Sequence, residues 1–303
     1  MENAENKPVN DQDKNPEPAR NTPAAWLTER IIEFCRNSPD NNLKNAGNDR
    51  IFDEPLVGFS SGADPMYEFL QRDIGSPFMT PLEIFWKSFP DSDARAEDLT
   101  VISWILPHIP ATVADNARKT FLPSDRWVLA KHQGYAFGKI LSLFVVDLIR
   151  DTGFQAVAPE YTPFWNIGRS KKYGLASVWS ERHAAFVSGL GTFGLCDGLI
   201  TPKGKAMLCG SVIARIAVPP TPRNYRDHHA WCLYYANGTC GKCIGRCPVK
   251  ALSKKGHNKM LCFLHSVVIS KIYVLLRFRI NDYGCGLCQA GVPCDRRNPV
   301  KEK

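Results

Sequence analysis

Apolar residues Trp26, Leu27, Ile31, Phe34 and Cys35 recur at helical spacing from Ala24 to about Asn37, which predicts an amphipathic helix. Ahead of it, residues 1–22 are rich in Asn, Asp, Glu, Lys and Pro and nearly devoid of apolar side chains, so they read as a disordered tail that cannot offset its ordering entropy. Leu56 to Phe59 is a short apolar run that Ser60-Ser61-Gly62 turns into a predicted helix over Pro65 to Gln71. Thr80-Pro81-Leu82-Glu83 combines an N-cap, a first-turn proline and a capping-box glutamate, and starts a helix to about Phe89. Leu99 to Leu106 is β-branched and aromatic enough for a buried strand. Ser124 to Arg150 reads as one long helix with Phe137, Ile140, Leu141, Phe144 and Leu148 on one face. On it, Gly134 and Gly138 invite close approach, either by another backbone or by a flat cofactor. Phe154 to Ala158 follows as a second strand, completing a strand-helix-strand unit.

Further along, Leu199 to Thr201 and Ala206 to Ala217 predict two strands joined at Lys203-Gly204. Before them stands Gly189-x-Gly191-x-x-Gly194, by pattern a dinucleotide fingerprint. Its context is wrong, because that fingerprint leaves a strand and opens a helix, whereas this one follows a helix-like segment and leads into strands. It predicts instead a loop whose backbone can press against a large ligand. With 303 residues, 44% of them apolar, the chain can bury a core, and its length suits one large domain plus a smaller one. The longest apolar run, Val267 to Ile280, is interrupted by Lys271, Arg277 and Arg279, so a soluble, cytoplasmic protein with no membrane partner is expected.

Eight of the eleven cysteines fall between residues 232 and 294: Cys232, Cys240, Cys243, Cys247, Cys262, Cys285, Cys288 and Cys294. Cys240-x2-Cys243-x3-Cys247-Pro248 is the ending of a bacterial ferredoxin motif, and Cys285-x2-Cys288 with Pro293-Cys294 supplies an answering half. Eight thiolates match two 4Fe-4S clusters. Disulfides would need an oxidising compartment, yet Met1 is followed by a polar stretch unlike a secretory signal. Zinc on the two close pairs would leave four cysteines unexplained and needs a gap far wider than a zinc ribbon has. A regular first half asks for cysteine at position 237, where Asn237 stands, and Cys232 is the substitute. Ferredoxin logic then gives one cluster Cys232, Cys240, Cys243 and Cys294, and the other Cys247, Cys262, Cys285 and Cys288. Cys232 and Cys262 lie outside the close pairs and could instead be buried free thiols. Cys35, Cys196 and Cys209 read as reduced core or loop residues.

The net charge of +8 conceals a division. Residues 1–200 carry 20 Lys and Arg against 26 Asp and Glu, a balance of −6, while residues 201–303 carry 18 against 4, a balance of +14. Two oxidised clusters would contribute about −4, which answers less than half of that excess. The remainder fits an acidic partner, either nucleic acid or an electron donor such as a ferredoxin or flavodoxin. Arg215, Arg223, Arg226, Lys254, Lys255, Arg296 and Arg297, interleaved with Tyr225, Trp231, Tyr234 and Tyr235, could grip phosphate and stack bases, or equally form a solvated face.

Glu181-Arg182, then Gly189-Leu190-Gly191, a strand hairpin, and a ferredoxin segment with an isolated cysteine fifteen residues after Cys247 together resemble the iron-sulfur epoxyqueuosine reductases, relatives of the corrinoid reductive dehalogenases. The resemblance covers roughly residues 95–294. It implies an α+β fold, with a nitroreductase-like corrinoid-binding core over residues 23–220 and a ferredoxin-like domain with two 4Fe-4S clusters over 221–303. It also implies a base-off cobalamin reduced by the clusters, Gly189, Leu190, Gly191 and Gly194 against the corrin ring, and reductive removal of an epoxide oxygen from a modified tRNA base.

One departure bears on the chemistry. The reductases carry an aspartate proton donor about six residues before the Glu-Arg pair, and here Tyr173-Gly174-Leu175-Ala176-Ser177 offers no carboxylate. Opening an epoxide leaves an alkoxide that needs a general acid, for which Tyr173, Tyr161, Glu160 and His183 are the candidates. The expected function is an iron-sulfur oxidoreductase. Its alternatives are a dehalogenase-like enzyme, or an electron-transfer or corrinoid-handling protein without turnover of its own.

Overall fold

The computed structural model describes residues 22–300. The reading of residues 1–22 therefore lies outside the described residues, apart from Thr22, the N-cap of the first helix. In chain order the core comprises α1 (Pro23–Asn37), β1 (Leu56–Ser61), α2 (Pro65–Ile74), α3 (Pro81–Ser88), β2 (Thr100–Pro107), α4 (Pro110–Ala117), α5 (Asp125–Arg150), β3 (Ala156–Val157), the hairpin β4 (Ile167–Ser170) and β5 (Gly174–Ser177), α6 (Glu181–Val187), the pair β6 (Thr192–Phe193) and β7 (Leu199–Ile200), and β8 (Met207–Ala214). The cysteine-rich part adds α7 (Leu233–Asn237), α8 (Lys242–Arg246), β9 (Leu252–Ser253), β10 (Gly256–His257), and a continuous helix Lys259–Phe278. That helix is built from α9 (Lys259–Phe263), a π-helical turn (Leu264–Ile269) and α10 (Ser270–Phe278).

The central sheet has the order β1-β2-β8-β3 with every neighbouring pair antiparallel, so β2 and β3 run parallel on either side of β8, joined by the α5 crossover. Period-two alternation along β2 divides the core. Ile102, Trp104 and Leu106 face the layer of α1 and α5, while Val101 and Ile105 face that of α2, α3 and α6. Every residue of β2 is buried, as a central strand covered on both faces requires.

The capping box at Thr80 and Glu83 forms as the sequence predicts, and Ser124 caps α5 by accepting from the Trp127 amide. Ser60 and Ser61, read as a turn, instead continue β1. Their polarity is absorbed by a buried hydroxyl network in which Ser60 Oγ lies 2.8 Å from Tyr67 Oη and 3.1 Å from Ser188 Oγ, which in turn donates to Ser103 Oγ. The buried face of α5 runs through Phe137, Leu141, Val145 and Ile149, leaving Ile140 exposed. Its two glycines turn it: a Cβ on Gly134 would stand 2.8 Å from the Phe52 ring and one on Gly138 3.1 Å from Leu208, so this close approach is helix packing.

The expectation of no membrane-length apolar segment does not hold, since Lys259–Phe278 is long and apolar enough by length and composition. Its charged residues interrupt the linear run but not the helix.

Candidate metal centre and adjoining recess

The cysteine-rich part is fastened to the core in part through a single guanidinium. Arg246, at the end of α8, donates to four carbonyls, those of Asn116 and Lys119 in the core and of Leu287 and Ala290 beside the second cysteine pair. Gly286 adopts φ 64°, and a Cβ there would fall within 2.0 Å of the Trp127 indole, so the Cys285-x2-Cys288 turn is seated directly against α5.

Cys232, Cys240, Cys243 and Cys294 line one small cavity, together with Lys205, Leu195 and Ile200. Around it, Cys285 interacts with Cys262 and Cys247, and burial foremost pushes its thiol up to about 11. Cys288 adjoins both Cys285 and the first group. Among the described residues no three side chains crowd one point closely enough to hold a single ion, as four ligands do around zinc. Thiolates on a four-iron cube each take a different iron and stand further apart.

Two residues that spacing did not single out belong here. Cys243 and Cys288, one from each group, both act on Cys196 and hold its thiol pKa down, so it is not the scattered core or loop thiol expected of it. Lys205 is 2% exposed, and its Nζ donates to Cys196 Sγ at 3.1 Å. No carboxylate pairs with this ammonium among the described residues. A buried ammonium without a counter-charge costs several kcal/mol, so its surroundings must carry negative charge, which ionised thiolates supply. The donor set therefore fits an anionic thiolate cluster.

A second polar interior lies in the core. Glu160, Tyr161, Glu181, Tyr135 and Cys209 come together from separate elements, and the Glu160 charge acts on each of the other four. Burial, then repulsion between the two carboxyls, holds Glu181 well above the usual carboxylate range, and burial raises Glu160 also. Glu181 Oε2 is buried without a hydrogen-bond partner. Tyr135, 46% exposed and with desolvation strongly raising its phenol, marks the side on which this polar recess reaches the surface. Lys131 bridges its rim, with Nζ 4.8 Å from the Tyr135 ring and 4.1 Å from that of Tyr283.

The structure separates the sequence-derived acid candidates. Tyr161 lies in the recess beside Glu160. Tyr173 sits at the hairpin instead, its hydroxyl donating to Asp73 Oδ2 at 2.6 Å. His183 is packed against Phe193 and Phe78, bonds Ser180 Oγ at 2.8 Å, and burial lowers its pKa to about 4, so it is neutral at pH 7 and has no proton of an imidazolium to give. The glycine loop presses on its own chain. A Cβ on Gly191 would stand 2.4 Å from the Ile200 carbonyl, one on Gly189 3.0 Å from that of Pro222, and one on Gly194 3.2 Å from the Ile200 side chain, while Leu190 is buried in the core.

No protein-family model and no curated protein matches the chain. Solved structures do. An epoxyqueuosine reductase overlays 91% of this chain and 68% of its own length at 16% identity, with a TM-score of 0.47. The epoxyqueuosine reductase from Bacillus subtilis overlays 91% and 67% at 15% identity and 0.43. A catabolic reductive dehalogenase in complex with 3-bromo-4-hydroxybenzoic acid overlays 91% and only 37% at 13% identity and 0.48. These are the two groups that the sequence motifs resemble.

Of the basic residues considered for nucleic acid, Arg215 pairs with Asp93 at 2.7 Å and Arg223 with Asp64 at 2.6 Å. Tyr225 stacks on Phe186, and Trp231 packs edge-on against Tyr225. These four have structural work already; Lys254, Lys255 and Tyr235 are exposed.

Proposed function

We propose that this chain is an iron-sulfur oxidoreductase whose ferredoxin-like part serves a reducible ligand in the recess of a nitroreductase-like core. Cys232, Cys240, Cys243 and Cys294 would hold one 4Fe-4S cluster and Cys247, Cys262, Cys285 and Cys288 the other; such clusters supply single electrons at low potential. The observation that carries the reading is the buried Lys205 ammonium among thiols with no carboxylate to neutralise it among the described residues. The chain's part in the reaction is then to orient and to protonate. Glu181, held well above the usual carboxylate range, with Glu160 raised beside it, would supply the proton for the alkoxide that epoxide opening leaves, and the Tyr161 hydroxyl stands beside them. They take the place of the family aspartate.

The glycine loop that the resemblance sets against a corrin ring packs on the chain's own backbone instead, so these glycines do not fit as a corrin cradle. The same observation favours a second reading, electron transfer without turnover of the chain's own. Low-field EPR of the anaerobically reconstituted protein with cob(II)alamin separates the two: a base-off cobalt signal supports the corrinoid enzyme, and an unchanged free-cobalamin spectrum beside two reducible clusters supports the carrier.

Replacing Cys232 by Ala tests the ligand assignment. Iron per chain should fall by about half, from about eight, since one of two four-iron clusters is lost; unchanged iron with intact spectra rejects Cys232 as a ligand. For the substrate, the resemblance points to tRNA. Its affinity should then fall steeply as salt rises, because phosphate contacts release counterions. Salt-independent binding, or none, removes tRNA from the reading.

A further inference from the structure

The Lys259–Phe278 helix leaves most of its apolar surface outside. On its inward side His265 Nε2 lies 2.9 Å from the Phe121 carbonyl, Ser270 Oγ accepts from the Gly284 amide at 2.9 Å, and Val274 is fully buried, while at its flank Tyr273 and the exposed Arg277 both bond the Asp125 carboxylate, at 3.0 and 3.1 Å. Its outward face is apolar. Met260 is 70% exposed, Ile272 57% and Leu276 67%, with Leu264, Val268 and Leu275 exposed between them. The stripe extends onto the β4–β5 hairpin, where Ile167 and Leu175 are also exposed and Lys259 Nζ reaches over the Tyr173 ring at 5.0 Å. An ordinary surface helix turns this arrangement round, burying its apolar stripe and solvating its polar one. Here some 30 Å of apolar helix, at about 1.5 Å per residue, faces water.

The charges around the stripe have one sign. From residue 228 to residue 281 the chain has no Asp or Glu and nine Lys and Arg, among them the exposed Lys254, Lys255, Lys259, Lys271 and Arg279. A second copy docked on this face would set those cations against their own kind. Nucleic acid would satisfy the cations and leave the Leu, Ile and Met side chains unanswered. An anionic lipid surface satisfies both, with the apolar face entering the acyl boundary and the lysines at the headgroups. The polar bonds to Phe121, Asp125 and Gly284 hold the other face in the protein, so the helix lies in the plane of the interface and does not cross the bilayer.

We propose that the Lys259–Phe278 helix, with the β4–β5 hairpin beside it, docks this protein on an anionic phospholipid membrane surface. The inference stands apart from the cluster and substrate readings, and its test needs no turnover. Full-length protein is floated with phosphatidylcholine vesicles containing or lacking phosphatidylglycerol. It should float with the anionic vesicles, do so less as salt rises, and remain below with phosphatidylcholine alone. Leu264→Ser/Ile272→Ser/Leu276→Ser should cut anionic-vesicle partitioning about tenfold or more through lost apolar burial. Because these side chains point outward, unfolding temperature and iron content should stay as in the parent. Lys254→Glu/Lys255→Glu/Lys259→Glu, which leaves the stripe intact, should likewise abolish the preference for phosphatidylglycerol. The proposal is overturned by absence of flotation with anionic vesicles, or by flotation that the triple serine variant does not weaken. It is equally overturned by a concentration-dependent dimer that the serine variant disperses, which would assign the face to a second copy, or by retention on an acidic protein without vesicle binding.

Discussion

Two polar interiors of this molecule have opposite electrostatics. The thiol chamber contains a buried cation, Lys205, and no carboxylate among the described residues, whereas the recess contains two carboxyls, Glu160 and Glu181, with the Glu181 Oε2 left unpaired. Neither arrangement is a sound way to stabilise a fold, since buried charge without a partner costs more than an apolar filling would. Each implies something the protein chain does not itself provide. The chamber calls for added negative charge, and the recess calls for protons. In the proposed reading the difference between the interiors divides the labour of a reductive bond cleavage, electrons from one and protons from the other.

Lys205→Met should have the largest effect, and its sign discriminates. If anionic clusters fill the chamber, removing the cation leaves their charge uncompensated. The reconstituted protein should lose about 3–5 kcal/mol in urea unfolding and retain less iron. In iron-free protein with reduced, protonated thiols, the same change removes an isolated buried charge and should be neutral or stabilising. Loss of stability to the same extent in both states would break the contrast between the chamber and the recess.

A smaller effect is expected at Cys196. With eight thiolates satisfying the two proposed cubes, Cys196→Ser should leave iron per chain unchanged while shifting the EPR signals of both clusters, because Cys196 is influenced by Cys243 of one group and Cys288 of the other. Iron loss would make Cys196 a ninth ligand and require a different partition.

How far the two interiors could be read from sequence differs for the same physical reason. Cys240, Cys243 and Cys247, like Cys285 and Cys288, announce themselves because a loop around a cluster imposes short-range spacing. Cys196 and Lys205 reach the chamber through tertiary packing of β6, β7 and the segment before β8, and no local pattern marks them. The recess gathers Tyr135 from α5, Glu160 and Tyr161 from the turn after β3, Glu181 from α6 and Cys209 from β8, so its constellation exists only once the sheet has formed. Local signals of the other kind held well: the capping box at Thr80 and the Ser124 cap are contacts within one turn. The orientation of Lys259–Phe278 was hidden for a further reason. Periodicity reveals that a helix has an apolar stripe but not which way the stripe faces, and burial normally supplies the answer that this helix reverses.

The smallest expected effect concerns protons in the recess. Glu160 and Glu181 have folded-state pKa values raised above the ordinary 4.5, so between 4.5 and those raised values the folded chain binds more protons than the unfolded one. Stability contributed by the pair is therefore fully present below pH 4.5 and declines as pH rises through the raised values, by about 1.4 kcal/mol for each tenfold by which folding weakens the acid. Glu181→Gln removes both its own desolvation and its repulsion of Glu160, and should flatten that decline in urea unfolding measured from pH 4.5 to 8. Lys205→Met should not, since the groups acting on Lys205 are cysteines and neither carboxyl is among them. If Glu181→Gln left the pH slope unchanged, the recess would not be storing a proton, and the general acid would have to come from the Tyr161 or Tyr135 hydroxyl instead.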